Sequence, residues 1–160
     1  AAMLFCEGKL LTINGGRYML TEFDFGADAY FMDRVLYSLR DAGCVPVVAH
    51  PERYEALQYS HSIVTKWLGD GMGIQINKGS LSGRFGRNAR QLAYELLEQG
   101  LVSCIASDAH GTVQRTPDMS DIHEFLAVEY SPELARLLLK DNPNRIVQNR
   151  PLLSAQNINY

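Results

Sequence analysis

Short apolar runs alternate with amphipathic segments along most of the chain. Apolar, β-prone runs predict four strands, at residues 17–23, 44–49, 73–77 and 101–107. Apolar residues at helical spacing predict helices over 28–42, 54–68, 88–99, 119–128 and 132–139, although polar residues at 60–62 interrupt the second of these. The polar stretch 141–160 predicts a tail with a last helical turn near Ile146.

The order of these elements predicts the arrangement of the strands. Buried strands that alternate with helices imply a parallel sheet. A parallel sheet needs helices on its faces, which explains why the strands are apolar throughout. Four such units make about half of a (β/α) barrel, or a small open sheet. Because no linker, repeat or low-complexity segment divides the chain, we predict one α/β domain over residues 1–160.

Composition narrows the classes of function. Hydrophobic residues make up 46% and charged residues 21%, and the net charge is −3. Nucleic-acid and membrane-surface binding both need clustered positive charge, so we predict neither partner. No run is apolar enough to predict a membrane span, and no secretory signal is visible. Cys6, Cys44 and Cys104 lie far apart and predict buried, reduced thiols in a cytoplasmic protein.

Metal-binding and acid–base residue types fall at all four predicted strand ends. Reactive groups of parallel α/β folds lie just past the carboxyl ends of strands. Glu22 closes the first predicted strand, His50 follows the second, and Asn77 ends the third. Asp108 and His110 follow the fourth, and a carboxylate with an imidazole is a common pair for a divalent metal ion. We therefore expect these side chains to converge at one end of the sheet.

Each of these residues also has a purely structural explanation. Glu22 could pair with a neighbouring arginine, and His50, which precedes a proline, could belong to a turn. His61 and His123 lie in predicted helices without such neighbours, so we interpret them as surface or packing residues. The recurrence at every predicted strand end favours a functional site over these separate explanations.

Two arginines follow the candidate ligands closely. Arg53 comes three residues after His50, and Arg115 comes five after His110. A guanidinium group stays charged and binds phosphate through two parallel hydrogen bonds, so the placement favours anion binding over a solvated surface charge. The glycine-rich segment 79–86 matches neither a Walker loop nor a dinucleotide fingerprint. It could be an ordinary loop, which we favour, or could offer backbone N–H groups to an anion.

Three motifs together resemble one protein family. They are His-Pro-Glu-Arg-Tyr at 50–54, Gly-Ser-Leu-Ser-Gly-Arg-Phe-Gly at 79–86, and Ser-Asp-Ala-His at 107–110, with Arg115 after it. With the strand that ends at Glu22, they resemble the PHP (polymerase and histidinol phosphatase) family, and within it the bacterial capsule-type tyrosine phosphatases. The resemblance runs from about residue 8 to about residue 152. The Ser-Asp-Ala-His motif is typical of the wider superfamily, and the other two motifs are more specific.

The resemblance implies a distorted (β/α) barrel of PHP type with a cluster of divalent metal ions, for which manganese is expected. The metal ligands that the resemblance implies are Glu22, His50, Asp108 and His110. The phosphate-binding catalytic residues that it implies are Arg53 and Arg115. Such metals polarise the phosphoryl group and supply a hydroxide nucleophile. The implied substrate is phosphotyrosine on a protein, and the implied partner is an autophosphorylating tyrosine kinase of capsule or exopolysaccharide synthesis. No cysteine begins a Cys-x5-Arg loop, which argues against the thiolate class of tyrosine phosphatase.

The chain departs from the family pattern before Glu22. The family has a His-x-His strand and further metal ligands there, whereas this chain has only the sixteen residues 1–16, without a His-x-His motif. Glu7 is too close to Glu22 to be the family's bridging glutamate. We therefore expect a partial barrel without its N-terminal strands, which by itself binds metal weakly, self-associates and is nearly inactive. The alternatives are another PHP phosphoesterase, acting on histidinol phosphate or nucleic acid, and a non-catalytic binding module with half a metal site.

Overall fold

A four-stranded parallel sheet lies at the centre of the fold in a computed structural model of the protein. The structure describes residues 10–59, 62–111 and 116–158. The strands lie side by side in chain order: β1 (Tyr18–Thr21), β2 (Val45–Ala49), β3 (Gly73–Asn77) and β4 (Cys104–Ala106). At their carboxyl ends the register pairs Thr21 with Val48, Ala49 with Gln75, and Asn77 with Ala106. The predicted parallel α/β fold is confirmed, and the four carboxyl ends share one edge.

Helices follow each strand of the sheet. They are α1 (Ala29–Asp41), α2 (Ser62–Gly69), the short α3 (Lys78–Leu81), α4 (Arg87–Glu98), α5 (Ser120–Glu129), α6 (Pro132–Arg136) and α7 (Asn142–Val147). A π-helical segment, Leu137–Asp141, joins α6 to α7. None of the helices within the described ranges is long and apolar enough to cross a membrane.

Apolar side chains from both faces of the sheet are buried. The larger cluster contains Val48, Ile74 and Ile76 from the strands, with Trp67 from α2 and Leu92 and Leu96 from α4. A smaller cluster contains Tyr18, Val47 and Cys104 from the strands and Ile146 from α7. Since neighbouring residues of a strand point to opposite faces, burial of both faces accounts for the continuous apolar strands.

The helix predicted over 54–68 is wrong in its first half. Tyr54 has an extended backbone, and a short 3-10 turn, Glu55–Leu57, follows it. The Tyr54 side chain is fully buried, and its hydroxyl oxygen accepts a hydrogen bond from the Phe23 N–H at 3.0 Å. This contact with the loop after β1 outweighs the local helical pattern. The helix proper, α2, begins at Ser62.

The strand predicted over 101–107 is shorter than expected. Residues before Cys104 are buried without belonging to the strand, and Ser103 marks the boundary. The Ser103 N–H donates to the Ile74 carbonyl at 2.8 Å, as in a regular strand pair. The Ile74 N–H, however, donates to the Ser103 hydroxyl oxygen at 3.0 Å and not to a main-chain carbonyl. A side chain thus replaces one backbone acceptor of the ladder. The first strand is likewise shorter than 17–23.

The predicted polar tail contains a full helix, α7, which continues from α6. Its first residue, Asn142, is completely buried and satisfies backbone groups on two segments. Its amide nitrogen donates to the carbonyls of Ser103 at 2.8 Å and Leu153 at 3.0 Å, and its amide oxygen accepts from the Leu153 N–H at 2.9 Å. Hydrogen bonding of this kind makes burial of a polar residue favourable, which composition does not indicate.

Cys44 and Cys104 are buried free thiols, as predicted, while Cys6 lies outside the described residues. Burial raises the pKa of Cys44 to about 11 and that of Cys104 to about 12. Since the thiolate is the reactive form, we expect neither to react with iodoacetamide in the native protein at about pH 8, and both to react after unfolding in urea. Peptide mapping measures this. Native-state labelling at the rate of an exposed thiol would contradict it.

Candidate active site

The ends of β1 and β2 bring Glu22 and His50 together. His50 Nε2 lies 3.1 Å from Glu22 Oε1. The imidazole is buried, whereas the carboxylate is exposed. Burial lowers the pKa of His50, although the carboxylate of Glu22 acts in the opposite direction. A lowered pKa favours the neutral imidazole, which is the form that binds a metal ion.

The backbone is strained at two residues of the site. His50 has a φ of 35° and Asp108 a φ of 49°, both left-handed, and each such residue costs of order 1–3 kcal/mol. The other non-glycine residues with positive φ in the described ranges are Asn14 and Asn149. Strain of this kind clusters at functional sites, and here it coincides with two candidate ligands.

Asp108 is the centre of a polar cluster at the ends of β3 and β4. Its Oδ2 accepts hydrogen bonds from Asn77 Nδ2 at 2.9 Å and from Arg53 Nη1 at 3.4 Å. Its Oδ1 lies 3.6 Å from His110 Nδ1, which also lies 2.8 Å from the Asp108 main-chain oxygen. One carboxylate therefore contacts side chains that follow β2 and β4 and the last residue of β3.

The turn Pro51–Arg53 connects the two groups of residues. The Arg53 N–H donates to the His50 carbonyl at 3.0 Å, so both residues belong to one tight turn. The charges of Glu22, Arg53 and Asp108 all act on the pKa of His50. Glu22 with His50 and Asp108 with His110 thus form two carboxylate–imidazole pairs, and charges from both pairs act on His50.

The donor atoms of these pairs suit a divalent metal ion. Imidazole nitrogen and carboxylate oxygen are both common ligands of such ions. His50 Nδ1 is buried and has no hydrogen-bond partner in the part of the chain that the structure describes. No three His, Cys, Asp or Glu side chains within the described ranges are close enough to hold a metal ion together. Each pair therefore brings together two side chains of metal-binding type.

Glu52 is buried next to the candidate site residues. It belongs to the His-Pro-Glu-Arg-Tyr motif, but the sequence predicted no role for it. It is completely buried, and its Oε1 accepts from the Asn77 N–H at 2.9 Å and from the Ser80 hydroxyl at 2.6 Å. Burial raises the pKa of Glu52 to about 7. Glu52 thereby ties the turn after β2 to the start of the glycine-rich segment.

Arg53 is stacked between two aromatic rings. Its guanidinium carbon lies 4.4 Å from the ring centroid of Phe25 and 4.1 Å from that of Phe85. Neither ring was predicted to belong to the site, since aromatic residues in loops carry no periodic signal. Arg115 and His61 lie outside the described residues, so the role expected for Arg115 stays a prediction. His123 is exposed on α5, as predicted.

Two grooves of the described structure lie away from these residues. A groove of about 900 Å³ runs between α1 and α2 beside Tyr37 and Lys66, and one of about 520 Å³ lies at the amino ends of the strands. A polar cavity of about 200 Å³ adjoins the candidate site and is lined by Asn77, Arg84 and Phe85 among others. The concentration of reactive groups, rather than cavity size, therefore identifies the site.

Comparison with known proteins decides the family. The profile of the family described as "Capsular polysaccharide synthesis, CpsB/CapC" matches residues 1–148. The chain belongs to the CpsB/CapC family. The predicted relation to capsule-type tyrosine phosphatases is thereby confirmed.

Relatives of this CpsB/CapC chain are named as tyrosine phosphatases. It is 31% identical over 144 residues to tyrosine-protein phosphatase YwqE from Bacillus subtilis, which covers 90% of the chain and 56% of that protein. It is 31% identical over 147 residues to tyrosine-protein phosphatase CpsB from Streptococcus pneumoniae, covering 89% of the chain and 60% of that protein. The chain therefore spans less than two thirds of the length of either relative.

A solved crystal structure has the same fold. It belongs to a pair, YwqE from Bacillus subtilis and CpsB from Streptococcus pneumoniae, which are described as unique metal-dependent tyrosine phosphatases. The TM-score is 0.85 at 28% sequence identity, and the match covers 96% of this chain and 62% of that one. The fold class expected from the motifs is confirmed over nearly the whole chain.

Proposed function

We propose that this chain acts within a metal-dependent phosphatase that hydrolyses phosphotyrosine on a protein. One observation carries the proposal: two carboxylate–imidazole pairs flank the stacked guanidinium of Arg53 at the shared carboxyl edge of the sheet. Metal ligands beside a fixed cation are what phosphoryl transfer requires, because charge on the phosphoryl oxygens must be neutralised. The names of the CpsB/CapC relatives support the same reaction.

Glu22, His50, Asp108 and His110 would hold divalent metal ions, and manganese is the ion we expect. The unpartnered, buried Nδ1 of His50 and the mixture of nitrogen and oxygen donors fit such ions. When bound, divalent metal ions supply a hydroxide nucleophile by lowering the pKa of bound water. Further ligands would have to complete the shell, because each pair offers two protein ligands and catalytic sites commonly use about three.

The side chains of the chain would do the remaining work. Arg53 would bind two phosphate oxygens through its guanidinium edge, and Arg115 would act similarly. Asn77 and Arg53 both donate to Asp108 Oδ2, which fixes the direction of that carboxylate. The lowered pKa of His50 keeps its imidazole available as a ligand at neutral pH.

We further propose that the substrate protein is a cytoplasmic, autophosphorylating tyrosine kinase of capsule or exopolysaccharide synthesis. The family description supports the process, because it refers to capsular polysaccharide synthesis. Two buried, reduced thiols support a reducing compartment. Phosphorylation of a kinase fragment on tyrosine, followed by incubation with this protein and manganese, would test the assignment directly.

Hydrolysis of a phosphotyrosine peptide tests the proposed reaction, with this chain extended to the length of its relatives so that the metal shell can be completed. We expect EDTA to abolish it and manganese to restore it. His50→Ala and Asp108→Asn should each lower turnover by about 100-fold or more, since loss of a residue that merely orients a ligand already costs about 10–100-fold. His123→Ala is the control, because that histidine is exposed on α5. Metal-independent hydrolysis, or hydrolysis of histidinol phosphate in preference to the peptide, would contradict the proposal.

A further inference from the structure

Two loops meet around Arg53, and each contributes one aromatic ring. Phe25 lies in the loop between β1 and α1, and Phe85 lies in the loop between α3 and α4. Their centroids lie 4.4 Å and 4.1 Å from the guanidinium carbon, within the range of a cation–π contact. We call Phe25, Arg53 and Phe85 the guanidinium stack. The Arg53 side chain remains 15% exposed within it.

The guanidinium stack leaves most hydrogen-bond donors of Arg53 without a partner among the residues that the structure describes. Those donors lie in the plane of the group and point outward, whereas a cation–π contact is made with the face of a ring, here at centroid distances of 4.4 Å and 4.1 Å. Within the described ranges, the one side-chain hydrogen bond of Arg53 joins Nη1 to Asp108 Oδ2 at 3.4 Å, which is long for such a bond. A guanidinium held by bidentate carboxylates would have its donors occupied and its charge neutralised. Stacking instead restrains the group, and its one ion pair in the described ranges, with Asp108 at 3.4 Å, leaves its other donors available for an anion.

Each ring of the stack is itself held by the fold. A Cβ atom added at Gly79 would lie 2.7 Å from Cε2 of Phe85, so this ring packs directly on the Gly79 backbone. The Phe25 carbonyl accepts a hydrogen bond from the Glu55 N–H at 3.1 Å, and the Phe25 ring lies 6.4 Å from the ring of Tyr54. Both rings are therefore anchored independently of Arg53.

We propose that Phe25 and Phe85 are positioning residues that present the N–H edge of Arg53 to the substrate phosphate. The inference rests on the proposed function, because it takes Arg53 as a phosphate-binding residue. An unrestrained arginine side chain loses rotamer freedom when it binds a ligand, which weakens binding. The stack restricts this freedom before phosphate arrives. It also explains why the glycine-rich segment 79–86 contains an aromatic residue, which a flexible loop would not need.

A double-mutant cycle on phosphate binding tests the inference. The protein, extended to the length of its relatives and loaded with manganese, is titrated with inorganic phosphate by calorimetry, in the original form and as Phe25→Leu and Phe85→Leu. Leucine keeps an apolar side chain but lacks a π face, so we expect each change to weaken phosphate binding by about three- to tenfold. In an Arg53→Ala background the same changes should have no further effect. Gly79→Ala should reproduce Phe85→Leu, because its methyl group displaces the ring.

Phe125→Leu is the matched control, since Phe125 is half-buried like Phe85 but packs on Tyr94 and Tyr130 instead of Arg53. Its phosphate affinity should not change. Equal phosphate affinity of Phe25→Leu, Phe85→Leu and the original protein, with weaker binding by Arg53→Ala, would overturn the positioning role alone. The positioning role would also be overturned if Phe25→Leu and Phe85→Leu weakened phosphate binding equally in the Arg53→Ala background. Undetectable phosphate binding, or binding unaffected by Arg53→Ala, would overturn the proposed function as well.

Discussion

Replacement of Arg53 by alanine is expected to lower turnover of a phosphotyrosine peptide by about 10²- to 10³-fold, the usual cost of removing one donor to a developing oxyanion. The guanidinium is the cation stacked at the centre of the site, and most of its donors point to no other group in the described ranges. Lysine should recover little of the loss, because a point charge cannot make two parallel hydrogen bonds. Steady-state kinetics of both variants, with vanadate inhibition, provide the measurement.

Arg136→Ala is the matched control for this experiment. Arg136 is exposed on α6, where it pairs with Asp141 at 3.2 Å, far along the chain from the site. We expect its kinetics to equal those of the original protein. If Arg53→Ala and Arg136→Ala were indistinguishable, Arg53 would have no part in phosphate binding.

Replacement of Glu52 by alanine is expected to lower the free energy of unfolding by about 3–5 kcal/mol. The change leaves the buried Asn77 N–H and Ser80 hydroxyl without their acceptor, and each such loss costs about 1–3 kcal/mol, to which a cavity adds. Urea denaturation measures the difference. Asn77 also donates to Asp108, so weaker manganese binding should accompany the loss of stability.

Two variants make the stability result specific. Glu52→Gln keeps an oxygen that accepts both hydrogen bonds, and it resembles the neutral carboxyl form that a pKa of about 7 favours in mildly acidic solution. We expect it to lose much less stability than the alanine variant. Glu124→Ala removes an exposed carboxylate on α5 and should stay within about 0.5 kcal/mol of the original protein. A Glu52→Ala protein as stable as Glu124→Ala would show that Glu52 does not hold the site together.

The sequence by itself determined the type of fold and much of the edge where the site lies. Runs such as 44–49 and 73–77 are apolar because both faces of a parallel sheet are buried, and that pattern is local enough to read directly. Residues at strand ends could be predicted for the same reason. Once the strands are parallel, Glu22, His50 and Asp108 have to follow their carboxyl ends.

Tertiary structure alone decided how these residues are supported. Glu52 is buried because segments distant in sequence supply its hydrogen bonds, and Asn142 is buried because it satisfies backbone groups around Ser103 and Leu153. The guanidinium stack likewise depends on two loops that meet only after the sheet has formed. Periodicity reports the neighbours of a residue along one element. Partners contributed by other elements leave no periodic trace, so they become visible only when the chain is folded.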